Sequence, residues 1–384
     1  MAGQARRLSD LGLQARSGGN PVIAGLAVDS RAVAPGFLFA ALPGVRAHGA
    51  DHAAGALERG AAAILTDAEG AARLRGALGD AALVVAEDPR QALAYAAALW
   101  FGAQPATMVA VTGTNGKTSV ATFTRQIWTA LGHAAINIGT TGVEGAWTAP
   151  SPHTTPEPVT LHRMLAEAAA AGITHAAMEA SSHGLDQRRM DGVRLAAAGF
   201  TNFTQDHLDY HGTMEAYFEA KMGLFDRLLP EDGVAVVNLD DPHGRLVAER
   251  ARARGAALLG VGRDAGADLR IAGTRPDATG QDLRLMWQGR AHQVRLPLIG
   301  GFQAANVALA AGLAIAAGAA AGDVMAALPR LSGVRGRMQL AARRRNGASV
   351  FVDYAHTPDA IATALSALRP HVMGRIVIVF GAGG

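Results

Sequence analysis

The sequence predicts an α/β protein built on a mostly parallel, doubly wound sheet. Short apolar runs alternate with helical stretches along most of the 384 residues, which is typical of strand–helix–strand units. A glycine-rich turn also separates a buried strand at 108–111 from a helix at 119–131. Because a chain of this length exceeds one ordinary domain, we expect more than one.

The predicted elements fall into three segments. In the first, strands at 26–28, 37–40, 62–65 and 82–85 alternate with helices at 52–59 and 89–100. The second has strands at 108–111, 176–178, 196–200 and 234–237, helices at 119–131 and 214–228, and a packed Ala-rich helix within 304–321. In the third, a strand at 349–352, a helix at 358–368 and a strand at 376–380 are too few to cover their own sheet. We therefore place the domains at 1–103, 104–336 and 337–384, the first smaller than the second and the third incomplete.

Composition narrows the class of protein. The chain has no cysteine, which excludes disulfides, thiolate metal sites and cysteine nucleophiles and suits a reducing cytosol. No apolar signal segment follows Met1, so we expect a cytoplasmic protein without membrane insertion. The formal charge is +3, and the densest basic run, Arg343–Arg345, is more typical of a solvated edge than of a nucleic-acid surface. We expect a monomer without a nucleic-acid partner.

The strongest motif is the turn Thr112–Thr118, with the sequence TGTNGKT. Between a strand and a helix, its glycines turn backbone N–H groups toward phosphate oxygens, and the helix N-terminus adds a partial positive charge. Lys117 is then expected to reach the β and γ phosphates, and the Thr118 hydroxyl to hold Mg²⁺. Val111 stands where the general pattern has glycine, so the loop belongs to a subclass. The competing interpretation is a glycine-rich turn without a ligand.

Polar residues follow two other strands. Glu179 ends a buried strand, where it holds a metal, orients a nucleophile or simply caps the next helix. The segment 204–212 contains two acids and two histidines, which suits metal binding or proton transfer, although an isolated histidine is more often structural. Lys221 is a surface lysine by default. Beside Mg²⁺ its charge would have to be removed or reversed by modification.

Three further motifs are less specific. The segment around Thr154 and Thr155 is either a loop that offers hydrogen-bond donors and acceptors or the start of a helix, and the sequence favours neither. Asn306 opens the Ala-rich helix and either bonds a base edge or satisfies backbone groups. Asp353 follows a strand, a position from which an acid often bonds a ribose hydroxyl.

Taken together, these segments resemble the Mur ligases. Among them, the likeness is greatest to members that add meso-diaminopimelate or lysine to UDP-N-acetylmuramoyl-L-alanyl-D-glutamate. Its most specific parts are the run Glu179–Leu185, followed by Gln187 and Arg189, and the run Asp206–Gly212. The resemblance implies three domains: an N-terminal α/β domain that binds UDP, a central P-loop ATPase-like parallel sheet, and a Rossmann-like C-terminal domain that binds an amino acid.

The resemblance also implies a role for each matching residue. ATP would be bound by Gly113, Thr114, Asn115, Gly116, Lys117, Thr118, Ser119, Asn306, Arg337 and Asp353. The UDP part of the substrate would be bound by Val28, Ser30, Val45, Arg46 and Ala47, and the muramoyl dipeptide by Thr154, Thr155, Ser181, Gln187 and Arg189. Mg²⁺ would be held by Thr118, Glu179, His207 and a carbamylated Lys221, and catalysis would depend on Lys117, Glu179, His207 and Lys221. His153 replaces a family asparagine and is given no role.

The implied reaction is ATP-dependent amide-bond formation between the UDP-linked dipeptide and an amino-acid acceptor. The D-Glu side-chain carboxylate attacks the ATP γ-phosphoryl group, and the acceptor amine then attacks the acyl phosphate, so charge neutralisation dominates catalysis. The acceptor-selecting Asp-Asn-Pro-Arg motif of the family would lie beyond Gly384. Diaminopimelate and L-lysine therefore both stay open, and the Ala-, Gly- and Arg-rich composition favours diaminopimelate.

Two alternatives compete with this interpretation. A folylpolyglutamate synthase shares the phosphate loop but not the nucleotide-sugar domain that the run Asp29–Arg31 indicates. An ATP-binding remnant without ligase activity is favoured by the incomplete third domain. The intact set of Lys117, Thr118, Glu179, His207 and Lys221 argues against such a remnant.

Overall fold

The computed structural model describes residues 5–44, 47–151 and 153–381. Its strands are β1 (Arg6–Arg7), β2 (Val22–Ile23), β3 (Gly25–Ala27), β4 (Phe37–Ala40), β5 (Ala63–Thr66), β6 (Ala82–Val85), β7 (Thr107–Thr112), β8 (Ala135–Gly139), β9 (Gly142–Gly145), β10 (His175–Glu179), β11 (Ala197–Phe200), β12 (Val234–Asn238), β13 (Ala257–Gly262), β14 (Leu269–Asp277), β15 (Gly280–Trp287), β16 (Arg290–Leu296), β17 (Gln339–Arg343) and β18 (Ser349–Val352). Its α-helices are α1 (Ala53–Glu58), α2 (Ala68–Arg73), α3 (Pro89–Phe101), α4 (Lys117–Ala130), α5 (Pro158–Ala170), α6 (Ser182–Asp186), α7 (Leu208–His211), α8 (Met214–Gly223), α9 (Pro242–Ala253), α10 (Gln303–Ala316), α11 (Ala321–Ala327) and α12 (Pro358–Leu368). None of these helices is long and apolar enough to cross a membrane.

The chain divides into two compact units. The first comprises the described part of Met1–Pro105 with Pro156–Gly172 and His183–Val193. The second comprises the described residues of Ala106–Thr155, Ile173–Ser182 and Arg194–Gly384.

The first unit contains the parallel sheet β3-β4-β5-β6. Successive residues of a strand point to opposite faces, so Leu38 and Phe39 pack in two different apolar clusters. Burial on both faces makes each strand a continuous apolar run, which is the pattern of a covered parallel sheet. The predicted strands at 37–40 and 82–85 accordingly coincide with β4 and β6.

The second unit contains a ten-stranded sheet in the order β16-β15-β14-β13-β12-β11-β7-β10-β8-β9. Its central strands, from β13 to β8, are parallel, which confirms the predicted doubly wound sheet. Strands β8 and β10 lie on one side of β7, and β11 to β13 lie on the other. The order therefore reverses at β7, and a cleft is expected at the carboxyl end of that strand.

The sequence analysis does not predict the strands at the two edges of this sheet. Strand β14 pairs parallel with β13 and starts the antiparallel meander β14-β15-β16, and β9 pairs antiparallel with β8. A two-residue turn, Gln288 and Gly289 with φ of 48° and 77°, joins β15 to β16. Positive φ at both central residues is the geometry of a type I′ hairpin. Its sequence lacks the Asn or Asp that usually announces such a turn.

One strand predicted for the third segment is wrong. Strand β18 and helix α12 have the predicted bounds, and β18 pairs with β17. Residues 376–380 form no strand, and Val377, Val379 and Phe380 are largely exposed. An apolar β-branched run becomes a strand only when a neighbouring edge accepts its hydrogen bonds, and no described strand pairs with this segment.

Candidate active site

A cavity of about 370 Å³ opens at the carboxyl ends of β7 and β10. It brings together Thr114, Asn115, Gly116, Lys117, Thr118, Ser119, Thr154, Glu179, Ser181, His207, Lys221, Asn306, Arg337 and Asp353, all of which the sequence analysis assigns to a site. Residues predicted to act on one ATP molecule thus line one space, although they are up to 239 positions apart, from Thr114 to Asp353.

The phosphate loop is held in place by polar residues that follow β11. The Thr201 hydroxyl donates to the Asn115 carbonyl oxygen at 2.7 Å, and the Asn115 N–H donates to the Asn202 side chain at 2.9 Å. Gly113 has φ of 138°, and a side chain there would overlap the Thr201 hydroxyl. Only glycine fits that position, because the conformation and the close approach both exclude a Cβ. The sequence analysis misses Thr201 and Asn202, since nothing in their local pattern shows that they face the loop.

Two lysines meet at one carbonyl oxygen of this loop. The Lys117 ammonium donates to the carbonyl oxygens of Gly113 and Thr114, each at 2.8 Å. The Lys221 ammonium donates to the same Gly113 oxygen at 2.9 Å, and its side chain is 1% exposed. The default interpretation of Lys221 as a surface lysine is therefore wrong.

Burial and mutual repulsion set the charge state of these lysines. Burial lowers the pKa of Lys117, an effect that Glu179 partly opposes. The pKa of Lys221 lies well below its usual range, first because of burial and then because of the nearby charge of Lys117. Both shifts favour the neutral amine over the ammonium.

Glu179 is held at the mouth of the phosphate loop. Its side chain is 2% exposed, and its carboxylate accepts from the Thr118 hydroxyl at 3.0 Å and from the Thr140 N–H at 2.8 Å. Gly139 lies against this carboxylate, and any side chain at that position would overlap it. These bonds direct the carboxylate toward Thr118. A residue that caps the next helix would instead direct its carboxylate toward α6.

The side chains around Thr118 offer two oxygen donors suited to Mg²⁺. Among the described residues, no three His, Asp or Glu side chains converge as a metal site. Mg²⁺ usually takes one or two carboxylates and completes its shell with waters and phosphate oxygens. The buried Glu179 carboxylate and the Thr118 hydroxyl fit that pattern, whereas the ammonium of an unmodified Lys221 does not.

His207 is half-exposed and lies at the start of α7 with φ of 51°. Its Nε2 is 3.6 Å from a carboxylate oxygen of Asp206, which also lines the cavity. Burial lowers the pKa of His207, and the charge of Asp206 partly opposes the effect. The shift favours the neutral imidazole, which is the form in which a histidine binds a metal.

The third segment contributes to the same cavity. The Arg337 guanidinium donates to the Thr118 hydroxyl at 3.1 Å and lies 4.7 Å from the centre of the Tyr354 ring. The Asp353 carboxylate accepts from the backbone N–H groups of Met338 and Ala355, at 2.7 and 2.8 Å. These two bonds stabilise the backbone around Asp353. Its contact with a ribose stays a prediction.

Asn306 sits near the phosphate loop on α10. It is 7% exposed, and its amide nitrogen donates to the Gln303 side chain at 3.1 Å. Its carbonyl oxygen approaches Gly116, where a side chain would overlap it. The contact orients Asn306 toward the loop, while recognition of a base stays a prediction.

The residues predicted for the substrate belong to both units. In the second unit, the fully buried Thr155 hydroxyl bonds the Glu179 carbonyl oxygen at 2.9 Å and the Ser181 N–H at 3.0 Å. In the first unit, the Arg189 guanidinium donates to the Gln187 side-chain oxygen at 2.8 Å. Arg189 and Gln187 therefore form one hydrogen-bonded polar pair. Thr155 holds Ser181 in place through the backbone N–H of Ser181.

The described residues that are predicted to bind UDP lie in the first unit. Val28 is 39% exposed, Ser30 is half-buried, and Ala47 is exposed. Val45 and Arg46 lie outside the described residues. Asp29, whose pKa Arg31 lowers to about 2, accepts from the Arg31 N–H and shapes the turn that carries Ser30.

Family descriptions match three parts of the chain. They are "Mur ligase family, catalytic domain" over residues 22–100, "Mur ligase middle domain" over 111–314 and "Mur ligase, glutamate ligase domain" over 336–384. The chain belongs to the Mur ligase family. As a member of that family, it is an ATP-dependent ligase.

Two curated relatives illustrate the similarity of this Mur ligase to named enzymes. A UDP-N-acetylmuramoyl-L-alanyl-D-glutamate–2,6-diaminopimelate ligase of Caulobacter vibrioides is 51% identical over 99% of the chain and 78% of the relative. The Zymomonas mobilis enzyme of the same name is 46% identical over 100% of the chain and 78% of the relative.

Solved structures confirm the three-domain Mur ligase fold. A structure of a UDP-N-acetylmuramoyl-L-alanyl-D-glutamate–2,6-diaminopimelate ligase superposes with a TM-score of 0.82 at 32% identity, over 99% of this chain and 77% of that one. A MurF ligase from Thermotoga maritima in complex with ADP gives a TM-score of 0.62 at 21% identity, over 90% and 74% of the two chains. At that identity the second structure supports the fold alone.

Proposed function

We propose that this Mur ligase joins meso-diaminopimelate to UDP-N-acetylmuramoyl-L-alanyl-D-glutamate by ATP-driven amide-bond formation. The observation that carries the proposal is the single cavity in which the phosphate loop, Glu179 and the polar residues Thr154 and Ser181 meet. The relatives that share about half of the sequence carry the name of this activity. L-Lysine is the runner-up acceptor, and those names favour diaminopimelate.

We assign the substrate's parts to the predicted domains. Residues 1–103 hold the UDP part, residues 104–336 hold ATP and the muramoyl dipeptide, and residues 337–384 belong to the domain that takes the amino acid. The exposed Val28 and Ala47 and the half-buried Ser30 are accessible to a nucleotide sugar, which supports the first assignment. The Arg189 guanidinium, fixed by Gln187, offers the cationic fork that best matches a dipeptide carboxylate.

The first chemical step is the transfer of the γ-phosphoryl group to the D-Glu side chain. A carboxylate oxygen attacks the γ-phosphorus, the bond to ADP breaks, and an acyl phosphate forms. Negative charge accumulates on the phosphoryl oxygens, which Lys117 can reach from its present bonds to Gly113 and Thr114. Thr118 and Glu179 would hold Mg²⁺, which would supply further neutralisation of that charge.

The second step forms the amide bond. The acceptor amine attacks the acyl carbon, the bond to phosphate breaks and inorganic phosphate leaves, and the proton of the amine passes to solvent. The tetrahedral oxyanion needs positive neighbours that are already in place, and Lys117 and Arg337 line the cavity where it forms. Catalysis therefore depends on preorganised charge more than on a covalent intermediate with the protein.

Lys221 enters this scheme as a carbamate. The ammonium first loses a proton, and the neutral amine then adds to carbon dioxide and releases a second one. A buried cation is thereby converted into a carboxylate-like anion. Burial and the charge of Lys117 lower the pKa of Lys221, which supports the reaction. The anion would then join His207 in holding a second Mg²⁺.

The proposal is tested by calorimetric titration of UDP-N-acetylmuramoyl-L-alanyl-D-glutamate into the protein with Mg²⁺ and a non-hydrolysable ATP analogue. We expect saturable binding that Arg189→Ala weakens at least tenfold, as loss of a charged hydrogen-bonding pair predicts. Arg16→Ala is the matched control, since Arg16 is an exposed arginine of the same unit. Absence of binding while the ATP analogue still binds would sink the muramoyl substrate.

The acceptor is tested by phosphate release in the presence of ATP and the dipeptide substrate. Meso-diaminopimelate is expected to stimulate release, and L-lysine is expected to leave it near background. The reverse order would replace the diaminopimelate assignment with the lysine one.

A further inference from the structure

Tyr217 lies between the phosphate loop and Lys221, and the sequence analysis gives it no role. It is 1% exposed and stands on α8, one helical turn before Lys221. Its hydroxyl is 3.3 Å from the Thr114 hydroxyl, and the centre of its ring is 4.2 Å from the Lys221 ammonium. One buried side chain therefore contacts both the loop and the lysine, and Thr114 and Lys221 line the cavity.

The direction of the bond between Tyr217 and Thr114 follows from hydrogen counting. The Thr114 hydroxyl donates to the Thr204 carbonyl oxygen at 3.0 Å and accepts from the Thr204 N–H at 3.0 Å. A threonine hydroxyl has one hydrogen and two lone pairs, so only an acceptor position is left. Tyr217 is accordingly the donor. Its hydroxyl ties α8 to Thr114, the third residue of the phosphate loop.

The ring of Tyr217 is fixed by its neighbours. The rings of Phe203, His211 and His207 lie 5.0, 5.2 and 5.9 Å from it, centre to centre. Lys221 occupies a face of the same ring, where a cation is attracted by the π electrons. The ring thus covers one side of the ammonium, the Gly113 carbonyl oxygen accepts from it, and Lys221 also lines the cavity.

We propose that Tyr217 is a positioning residue with two separable parts: the hydroxyl holds the phosphate loop in its ATP-binding form, and the ring directs the Lys221 nitrogen into the cavity. The second part rests on the proposed carbamate of Lys221, and the first does not. The proposal assigns Tyr217 no contact with substrate and no role in proton transfer.

Two substitutions separate the parts. Tyr217→Phe removes the hydroxyl and keeps the ring, whereas Tyr217→Leu removes both. Tyr95→Phe and Tyr95→Leu are matched controls, because Tyr95 is 46% exposed and belongs to the other unit. Circular dichroism and thermal melting verify that each variant folds.

Two affinities are measured by calorimetry on the full chain. The first is that of a non-hydrolysable ATP analogue with Mg²⁺. The second is that of Mn²⁺, as a metal probe, with and without added bicarbonate. Lys221→Ala cannot form the carbamate. It therefore provides the blank for the change in Mn²⁺ affinity that bicarbonate causes, which is called the bicarbonate effect.

The expected results differ between the variants. Tyr217→Phe should weaken binding of the ATP analogue about two- to fivefold, the effect of losing one neutral hydrogen bond. Bicarbonate should still raise its affinity for Mn²⁺. Tyr217→Leu should weaken binding of the analogue to the same extent, and bicarbonate should raise its affinity for Mn²⁺ much less.

Three outcomes overturn the proposal or a part of it. If Tyr217→Phe binds the analogue like the parent chain, the hydroxyl has no positioning role. If Tyr217→Leu keeps the full bicarbonate effect, the ring has none. If the parent chain itself shows no bicarbonate effect, the carbamate of the proposed function fails and the ring part fails with it. The ATP-analogue data still decide the hydroxyl part in that case.

Discussion

Gly139→Ala is expected to displace the Glu179 carboxylate, and with it the predicted Mg²⁺ ligand, without straining the backbone. The added methyl would overlap the carboxylate and the last methylene of Glu179, whose side chain is 2% exposed. Gly139 does not have the left-handed φ that strains other residues, so the backbone tolerates alanine. Because Glu179 is buried, its carboxylate cannot swing into solvent and must move off its present bonds.

The magnitude follows from the bonds that the methyl displaces. The Glu179 carboxylate accepts from the Thr140 N–H at 2.8 Å and from the Thr118 hydroxyl at 3.0 Å. A hydrogen bond to a charged group contributes about 1.5–3 kcal/mol. Loss of one such bond should lower the free energy of unfolding by that amount. If Glu179 holds Mg²⁺, the affinity for an ATP analogue should fall about ten- to hundredfold when Mg²⁺ is present.

The assay pairs urea unfolding with calorimetric titration of the ATP analogue, with and without Mg²⁺. Gly322→Ala is the control, since a methyl on that helical glycine meets nothing and should be neutral or stabilising by up to about 1 kcal/mol. Adding Glu179→Asp to Gly139→Ala shortens the acid by one methylene and should recover part of the loss. The reasoning is refuted if Gly139→Ala matches the parent chain in both stability and Mg²⁺-dependent affinity.

Three further outcomes are expected. Burial and the charge of His133 lower the pKa of His175 to about 4, so only the unfolded state takes up this proton between pH 6.5 and 4. Stability should fall as pH falls through that window, and urea unfolding of His175→Gln should show a flatter dependence. Gln288→Asn should stabilise the type I′ turn by about 0.5 kcal/mol, and an unchanged urea midpoint would contradict that. Thr201→Val removes the bond to Asn115 and should cost about 1–2 kcal/mol of stability and weaken the ATP analogue severalfold, whereas equal affinity would show that the loop needs no support from β11.

Elements with a purely local signal could be predicted from the sequence. Strands β4, β6 and β18 and helix α12 have the predicted bounds because each is an apolar or periodic run between turn residues. The phosphate loop is equally local, since its glycines, lysine and threonine are consecutive. Residues that a motif places at the end of a parallel strand, such as Glu179, follow from the topology of the sheet.

The remaining features depend on contacts between distant residues. Lys221 is buried because the phosphate loop, more than a hundred positions earlier, supplies the Gly113 carbonyl oxygen as its acceptor. Nothing near Lys221 in the sequence shows this partner. The same is true of Gly139, which matters because Glu179 comes to lie against it, and of the segment 376–380, whose apolar run lacks a pairing edge among the described strands.

The charges that line the cavity indicate why the modification of Lys221 and a second metal ion should occur together. Three cations, Lys117, Lys221 and Arg337, face three acids, Glu179, Asp206 and Asp353, so the unmodified lining is balanced when all six are ionised. Carbamylation turns one positive charge into a negative one, a change of two units that one Mg²⁺ offsets. Bicarbonate should therefore raise the affinity for the metal, and by linkage the metal should raise the carbamate occupancy by the same factor. If the metal affinity does not respond to bicarbonate, Lys221 is unmodified, and its role is instead that of a buried cation that binds phosphate.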